Sequence, residues 1–344
     1  MIERDSERMI WLTWRQHRKQ ALYTLIGLVA VAAVMLPTGL AMHHAFTDSG
    51  LAACLAKQGT GQFVPATAPD CSGLSQQFLN RYGSLTPVGV LFVILPVLVG
   101  LFFGAPLVAR EVEHGTHRLV WTQGVSRRHW ALVQFGLAGA VTLPLAAAYA
   151  LGMTWWYSPL VTDGSGRLAP IEFDVQGVAP IGYTLFAVAL GIFAGTLWKK
   201  VVPAMGVTLA GYVVVRVLVE AFARPLYRSP LTASLPINSG GHFNSTSGAW
   251  VYSNGITNGT GKLIMPDTTI HCGNPSASGA VTSATDPCDG GLLSRGMGPG
   301  PFSNLERYQP AGRFWEFQGI ETGIFLALTA ILCYLAIRRI RRIS

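Results

Sequence analysis

Charge is scarce in this sequence. Only 12% of its 344 residues are Asp, Glu, Lys or Arg, against about 25% in soluble domains. Half of the residues are hydrophobic. That deficit excludes an ordinary soluble fold and leaves an integral membrane protein. The net charge is +8, but the basic residues sit beside apolar runs. A nucleic-acid binder would gather them on a soluble face, so they read as membrane-flanking anchors. Catalytic signatures are missing too. The nearest thing to a P-loop, GITNGTGKL at 255–263, has the wrong spacing and ends in Leu263 where Ser or Thr is needed. Neither HExxH nor GxSxG occurs. His43–His44 lack further ligands nearby and read as an interfacial cap, and His114, His117 and His129 lack a fourth ligand, so no metal site is expected. A cleavable signal peptide is not expected either. About twenty polar and aromatic residues precede the first apolar run, which exceeds an h-region of ~7–15 residues.

Six apolar runs are present. Residues 1–20, with Ile10, Trp11 and Trp14 among Arg8, Arg15, Arg18 and Lys19, predict a cytoplasmic interfacial helix. Spans are predicted at 21–42, 87–108, 130–157, 178–198, 201–223 and 319–337, lengths that suit a ~30 Å hydrocarbon core. Between them lie outer loops at 43–86 and 158–177, a cytoplasmic turn at 199–200, and an outer region at 224–318. The outer region is expected to be irregular, closing with a re-entry helix around Phe314, Trp315 and Phe317. Trp155, Trp156 and Tyr157 read as an outer aromatic belt. The fold class expected is an all-α polytopic membrane protein with six transmembrane helices and both termini cytoplasmic.

The segment 109–129 is the cytoplasmic loop that orients the rest. Arg110, Arg118, Arg127 and Arg128 place it inside by the positive-inside rule, as Arg338, Arg339, Arg341 and Arg342 place the tail at 338–344. Cysteine use agrees. Four of the five cysteines fall in the two large outer loops, and disulfides persist in oxidising compartments. Locality favours Cys54–Cys71 and Cys272–Cys288, each closing a loop worth about 3 kcal/mol. Cys333 reads as a buried thiol. The sequons at Asn244 and Asn258 arise readily in such composition and carry no weight.

Three further features concern the spans. GLFFG at 100–104 and GIFAG at 191–195 are small-xxx-small patterns, weak alone. Phe102 and Phe103 are candidate pathway residues, as are Arg216 and Glu220 in the fifth span. Arg216 lies ~22 Å along that helix, in its outer half. Arg216 and Glu220 are four apart and share one face, so mutual pairing or snorkelling is expected. A polar element lining a pathway and an intrahelical pair near the interface both remain open.

Arg110–Glu111 at the end of the second span, Gly115–Thr116 four residues on, and Val125–Ser126–Arg127 before the third span resemble the membrane subunit of an ABC-2 type exporter. YQPAGRFWEFQ before the last span is reminiscent of actinobacterial members. Gly124 and Gln134 depart from residues common in that family. The resemblance implies that 109–129 is a coupling helix docking on a separate ATPase. Glu111 and Glu113 would accept from basic groups of that partner, Gly115 and Thr116 would break and re-cap the helix, and Arg127 and Arg128 would meet its acids or lipid phosphates. It further implies two ATPase chains per complex, a second permease protomer forming a homo- or heterodimer, and contact with membrane lipids. No cofactor is expected in this chain, ATP and Mg belonging to the ATPase. The expectation is an outward-moving permease for an amphipathic or hydrophobic substrate (drug, natural product or lipid) in a bacterial plasma membrane. Rival readings are a membrane-embedded lipid-modifying enzyme, which calls for an acid, base or metal cluster near one interface, and a non-transporting sensor or anchor.

Overall fold

The computed structural model describes residues 27, 29–59, 61–65, 67–113, 127–163, 166–198, 200–237, 239, 241–244, 247–270 and 300–340. The expected interfacial helix at 1–20, the Cys272–Cys288 pair and the tail at 341–344 lie outside these residues.

Among the described residues, six helices are long and apolar enough to cross a membrane: Val29–Asp48, Ser72–Glu111, Trp130–Asp163, Ala179–Leu197, Val201–Leu226 and Ala311–Ile340. They are spans one to six below. Span four is the hub, its window 72% buried against 11–39% for the others. Its small residues allow this. GLFFG of span two and GIFAG of span four pack directly on one another. A Cβ at Gly104 would sit 2.6 Å from the Val188 carbonyl oxygen, and one at Gly191 would sit 2.6 Å from the Ala105 nitrogen. Two patterns that are weak separately form one close crossing.

Span two is longer and less regular than the predicted 87–108. At ~1.5 Å per residue its 40 residues reach ~60 Å, twice a ~30 Å core. Its helix changes pitch at prolines. A 3-10 turn at Phe92–Ile94 precedes Pro96, and a π turn at Gly100–Gly104 precedes Pro106. Proline lacks the N–H that would bond four residues back. The Phe92 carbonyl, which Pro96 leaves without that donor, accepts from the Tyr149 hydroxyl at 2.8 Å. Much of the predicted outer loop 43–86 is therefore helical, with span one running on to Asp48 and a further helix at Leu51–Gln58.

The expected aromatic belt is mostly internal. Trp156 and Tyr157 are buried. The ring of Tyr157 lies where a Cβ on Gly89 of span two would fall, and Trp155 does the same at Gly39 of span one. Glycine gaps in two neighbouring spans admit rings that would otherwise face lipid. His43 stacks on Trp155 at 5.2 Å and bonds its carbonyl at 3.0 Å, consistent with a packing role.

The described residues between spans five and six form strands, where an irregular region was expected. Among the described residues six strands form: β1 (Phe63–Val64), β2 (Leu231–Pro236), β3 (His242–Phe243), β4 (Trp250–Thr257), β5 (Leu263–Pro266) and β6 (Ser303–Gln309). Four of them make an antiparallel sheet in the order β2-β6-β4-β5. β1, from the loop between spans one and two, pairs with β3. Gln62 donates to Glu306 at 2.7 Å, and the Asn244 amide donates to the carbonyls of Gly59 and Gly61. The two loops thus form one cap, with the Cys54–Cys71 disulfide closing the first. Burial pushes the Glu306 carboxyl above its ordinary value. Asn244 is buried with its amide engaged in the cap, and the Asn258 side chain holds the β4–β5 turn together. Both sequon asparagines therefore have structural work.

No separate re-entry helix forms. After β6 the chain turns at Pro310, and Phe314 opens a helix that continues unbroken to Ile340. Nothing between Phe314 and Gly319 breaks it, since a lone glycine costs only about 1 kcal/mol in a helix.

Candidate functional site

At the cap end of spans four, five and six, four charged side chains meet in the interior. Arg216 and Arg224 come from span five, Glu321 from span six, and Asp174 from a short helix at Pro170–Val175. Arg224 and Glu321 are fully buried, and Arg216 and Asp174 nearly so. Arg216 donates to Glu321 at 3.0 Å and also to Asp174. Arg224 binds Glu321 through two nitrogens, at 2.9 and 2.8 Å, and Asp174 at 2.6 Å. The Tyr183 hydroxyl donates to Glu321 at 2.7 Å, and Tyr227 adds a longer contact at 3.3 Å. Aromatic faces cover the guanidinium groups, with Arg216 3.8 Å from the Tyr183 ring centre and Arg224 4.4 Å from that of Phe173.

Local helix geometry brings the two arginines together. Residues eight apart on an α-helix diverge by about 80°. Span five has a π turn at Val219–Ala223, between them. One inserted residue makes the offset resemble seven positions, about 20°, and both guanidinium groups face the same carboxylates. The predicted Arg216–Glu220 pairing does not occur. Arg216 pairs across to other elements, and Glu220 is half-buried with no ion pair among the described residues.

Gln318, one turn before Glu321, completes the junction. Its oxygen accepts from the backbone of Val178 and Ala179 at 2.9 and 2.7 Å, and its nitrogen donates to Phe173 at 3.0 Å. Span six thereby caps the start of span four, whose own N-cap residue supplies no side-chain bond. Gly177 is required here: its φ is +71°, and a Cβ would lie 2.7 Å from Gln318.

Acids and bases do gather near one end of the spans, but each carboxylate oxygen of Asp174 and Glu321 already accepts from arginine or tyrosine. Carboxylates held this way are placed as structural anions, not as general bases. Among the described residues no group of three or more His, Cys, Asp or Glu is placed to hold a metal.

The other candidate region is the charged segment at the opposite end. Gly115 and Thr116 lie outside the described residues, as do Arg118, His114 and His117. Arg127 and Arg128 open the helix of span three, Arg127–Asp163. Glu111 is partly buried in the last turns of span two. Glu113 is exposed and accepts from the backbone N–H of Val201 at 3.0 Å. Of the pathway candidates, Phe102 is 64% exposed, whereas Phe103 packs against a cluster containing Val108, Ala138 and Ile192.

The ABC-2 membrane transporter related family matches residues 25–224, more than half of the chain. The chain belongs to that family. The match runs from span one through Arg224, and so includes the charged segment, Asp174 and both arginines of the cluster. Glu321 and Gln318 lie beyond it. No curated protein and no solved structure matches the chain. Family membership and six apolar helices make this a multi-pass membrane permease component of the ABC type.

Sequence reasoning missed Asp174, Arg224, Glu321, Tyr183 and Tyr227. A signal for part of the cluster was available. Where so few residues are charged, Arg224 eight positions after Arg216 and Glu321 just inside an apolar run are each costly enough to need a partner. Asp174 gave no such signal, since it falls in a short loop.

Proposed function

We propose that the chain is the membrane-spanning subunit of an ATP-driven exporter. Two protomers, identical or different, work with two separate ATPase chains that bind ATP and Mg. The segment 109–129 docks on the ATPase, and nucleotide-driven closure switches a central pathway between inward- and outward-facing states. The cargo is amphipathic or hydrophobic, moved outward across a bacterial plasma membrane. The observation that carries this reading is the family match over 25–224, together with the absence of a nucleotide-binding motif in the sequence. Such a chain must borrow its energy. The apolar cargo class is supported by the one large polar cluster seen between the described spans being closed, its four charges balanced and its carboxylates occupied. Charged cargo would need accessible donors or acceptors along its route.

The test is co-purification with an ABC ATPase chain co-expressed with this one. Replacing Glu111 and Arg127 together by alanine should lose the partner and its stimulated ATP hydrolysis. Retention of both by the double variant sinks the docking reading.

A further inference from the structure

Span five begins with an electrostatic problem. Its N-terminus follows Lys199–Lys200, positive charge at the positive end of a helix dipole. Lys200, its N-cap residue, is extended (φ −132°, ψ 138°) and supplies no side-chain cap. Pro203 has no N–H, so Val201 and Val202 carry the first-turn donors that need partners. Glu113, at the end of the helix Ala105–Glu113 that continues span two, accepts from Val201 at 3.0 Å. The cap that span five lacks locally is supplied by another span. Beneath it, Ala105 and Ala109 of span two, Ala194 of span four and Ala204 of span five form a fully buried cluster of small side chains. Span five then runs from this contact to Arg216 and Arg224 at its far end.

We infer that Glu113 is a positioning residue that latches span two to span five within this chain. It acts as a helix cap, not as a docking charge for the ATPase. Movement of the charged segment would then be passed to span five and along it to the buried charge cluster. The inference rests on the proposed function for what moves the segment, but the latch itself stands on the contact alone.

A cap needs an acceptor oxygen, and a glutamine has one. A docking charge needs the negative charge, and a glutamine lacks it. The donor can be removed independently, because proline is well tolerated at a first helical position and Lys200 already has the extended backbone that precedes proline.

The experiment is amide hydrogen exchange by mass spectrometry on the purified full chain, first without nucleotide. Exchange across residues 202–207 should rise about fivefold in Glu113→Ala, the scale expected for loss of one cap. Glu113→Gln should match wild type, and Glu113→Ala should add no rise in a Val201→Pro background, where the donor is already gone. No rise in Glu113→Ala alone overturns the latch. A rise in Glu113→Gln equal to that in Glu113→Ala overturns its assignment as a neutral-acceptor cap.

The second arm uses the complex with its ATPase, with and without Mg-ATP and vanadate. Wild type and Glu113→Gln should show nucleotide-dependent exchange at both ends of span five. Val201→Pro, which should still co-purify with the ATPase, should lose the response across 213–226. A wild-type response there in Val201→Pro overturns the transmission. A wild-type complex that shows no nucleotide response counts against the exporter reading, while the first arm still decides the latch.

Discussion

At the scale of single residues, the buried cluster makes the sharpest demand. Arg224 is fully buried and donates to both Glu321 and Asp174. Removing one partner of such a set strands the others in a low-dielectric interior. Arg224→Ala should therefore lower stability by about 3–5 kcal/mol, read as a drop in the denaturation midpoint in detergent. Arg224→Lys should recover only part, because one ammonium cannot reproduce the planar fork that reaches two carboxylates. Glu220→Gln is the contrast and should change stability by less than about 1 kcal/mol, near the range of substitutions away from buried networks. Equal losses at 220 and 224 would refute the account of the cluster. Arg216 was legible in sequence as an expensive residue in an apolar run. Its partners were not, because Asp174 and Glu321 stand on other elements, and the alignment of Arg224 with it was hidden by the π turn at Val219–Ala223, which breaks the α count.

At the scale of elements, the crossing of spans two and four is set by glycine. A Cβ on Gly104 would meet the Val188 backbone oxygen at 2.6 Å, and backbone cannot step aside as a flexible side chain can. Gly104→Ala should thus destabilise by about 1–3 kcal/mol, the usual cost of overpacking. A Cβ on Gly136 of span three would meet nothing within 4 Å. Gly136→Ala should be neutral or gain up to about 1 kcal/mol from helix propensity. Thermal unfolding of the two variants side by side checks the pair, and equal effects would remove the crossing argument. The sequence displayed both small-residue patterns but not their mutual contact. Glycine marks where a close approach is permitted and says nothing about which helix makes it. The same holds for Trp156 and Tyr157, whose composition suits an interface but whose rings fill gaps left by neighbouring spans.

At the scale of the whole molecule, the two ends have different architecture. One end carries a cap in which the first loop and the region between spans five and six are joined by β1 and β3, by Gln62–Glu306 and by Asn244. The other carries the arginine-rich segment. If that segment is cytoplasmic, a cysteine at Thr116 should resist impermeant thiol reagents in intact cells. A cysteine at Thr260, exposed in the β4–β5 turn, should react. The opposite labelling pattern would invert the orientation.

The sequence by itself determined the class of this protein. Apolar runs of spanning length and arginine at their flanks follow from transfer energies and charge placement, and the lack of a nucleotide motif is read directly from the residues. These are properties that each segment carries alone, so they can be read without knowing its neighbours. Only the tertiary structure decided which charges pair, which glycines touch, and that described residues between spans five and six pair into a sheet. Those outcomes depend on residues brought together from distant positions, as Glu321 is to Arg216 and Glu113 is to Val201. A buried charge must be satisfied by some partner, but the sequence states only the need, and the packing of six helices supplies the partner.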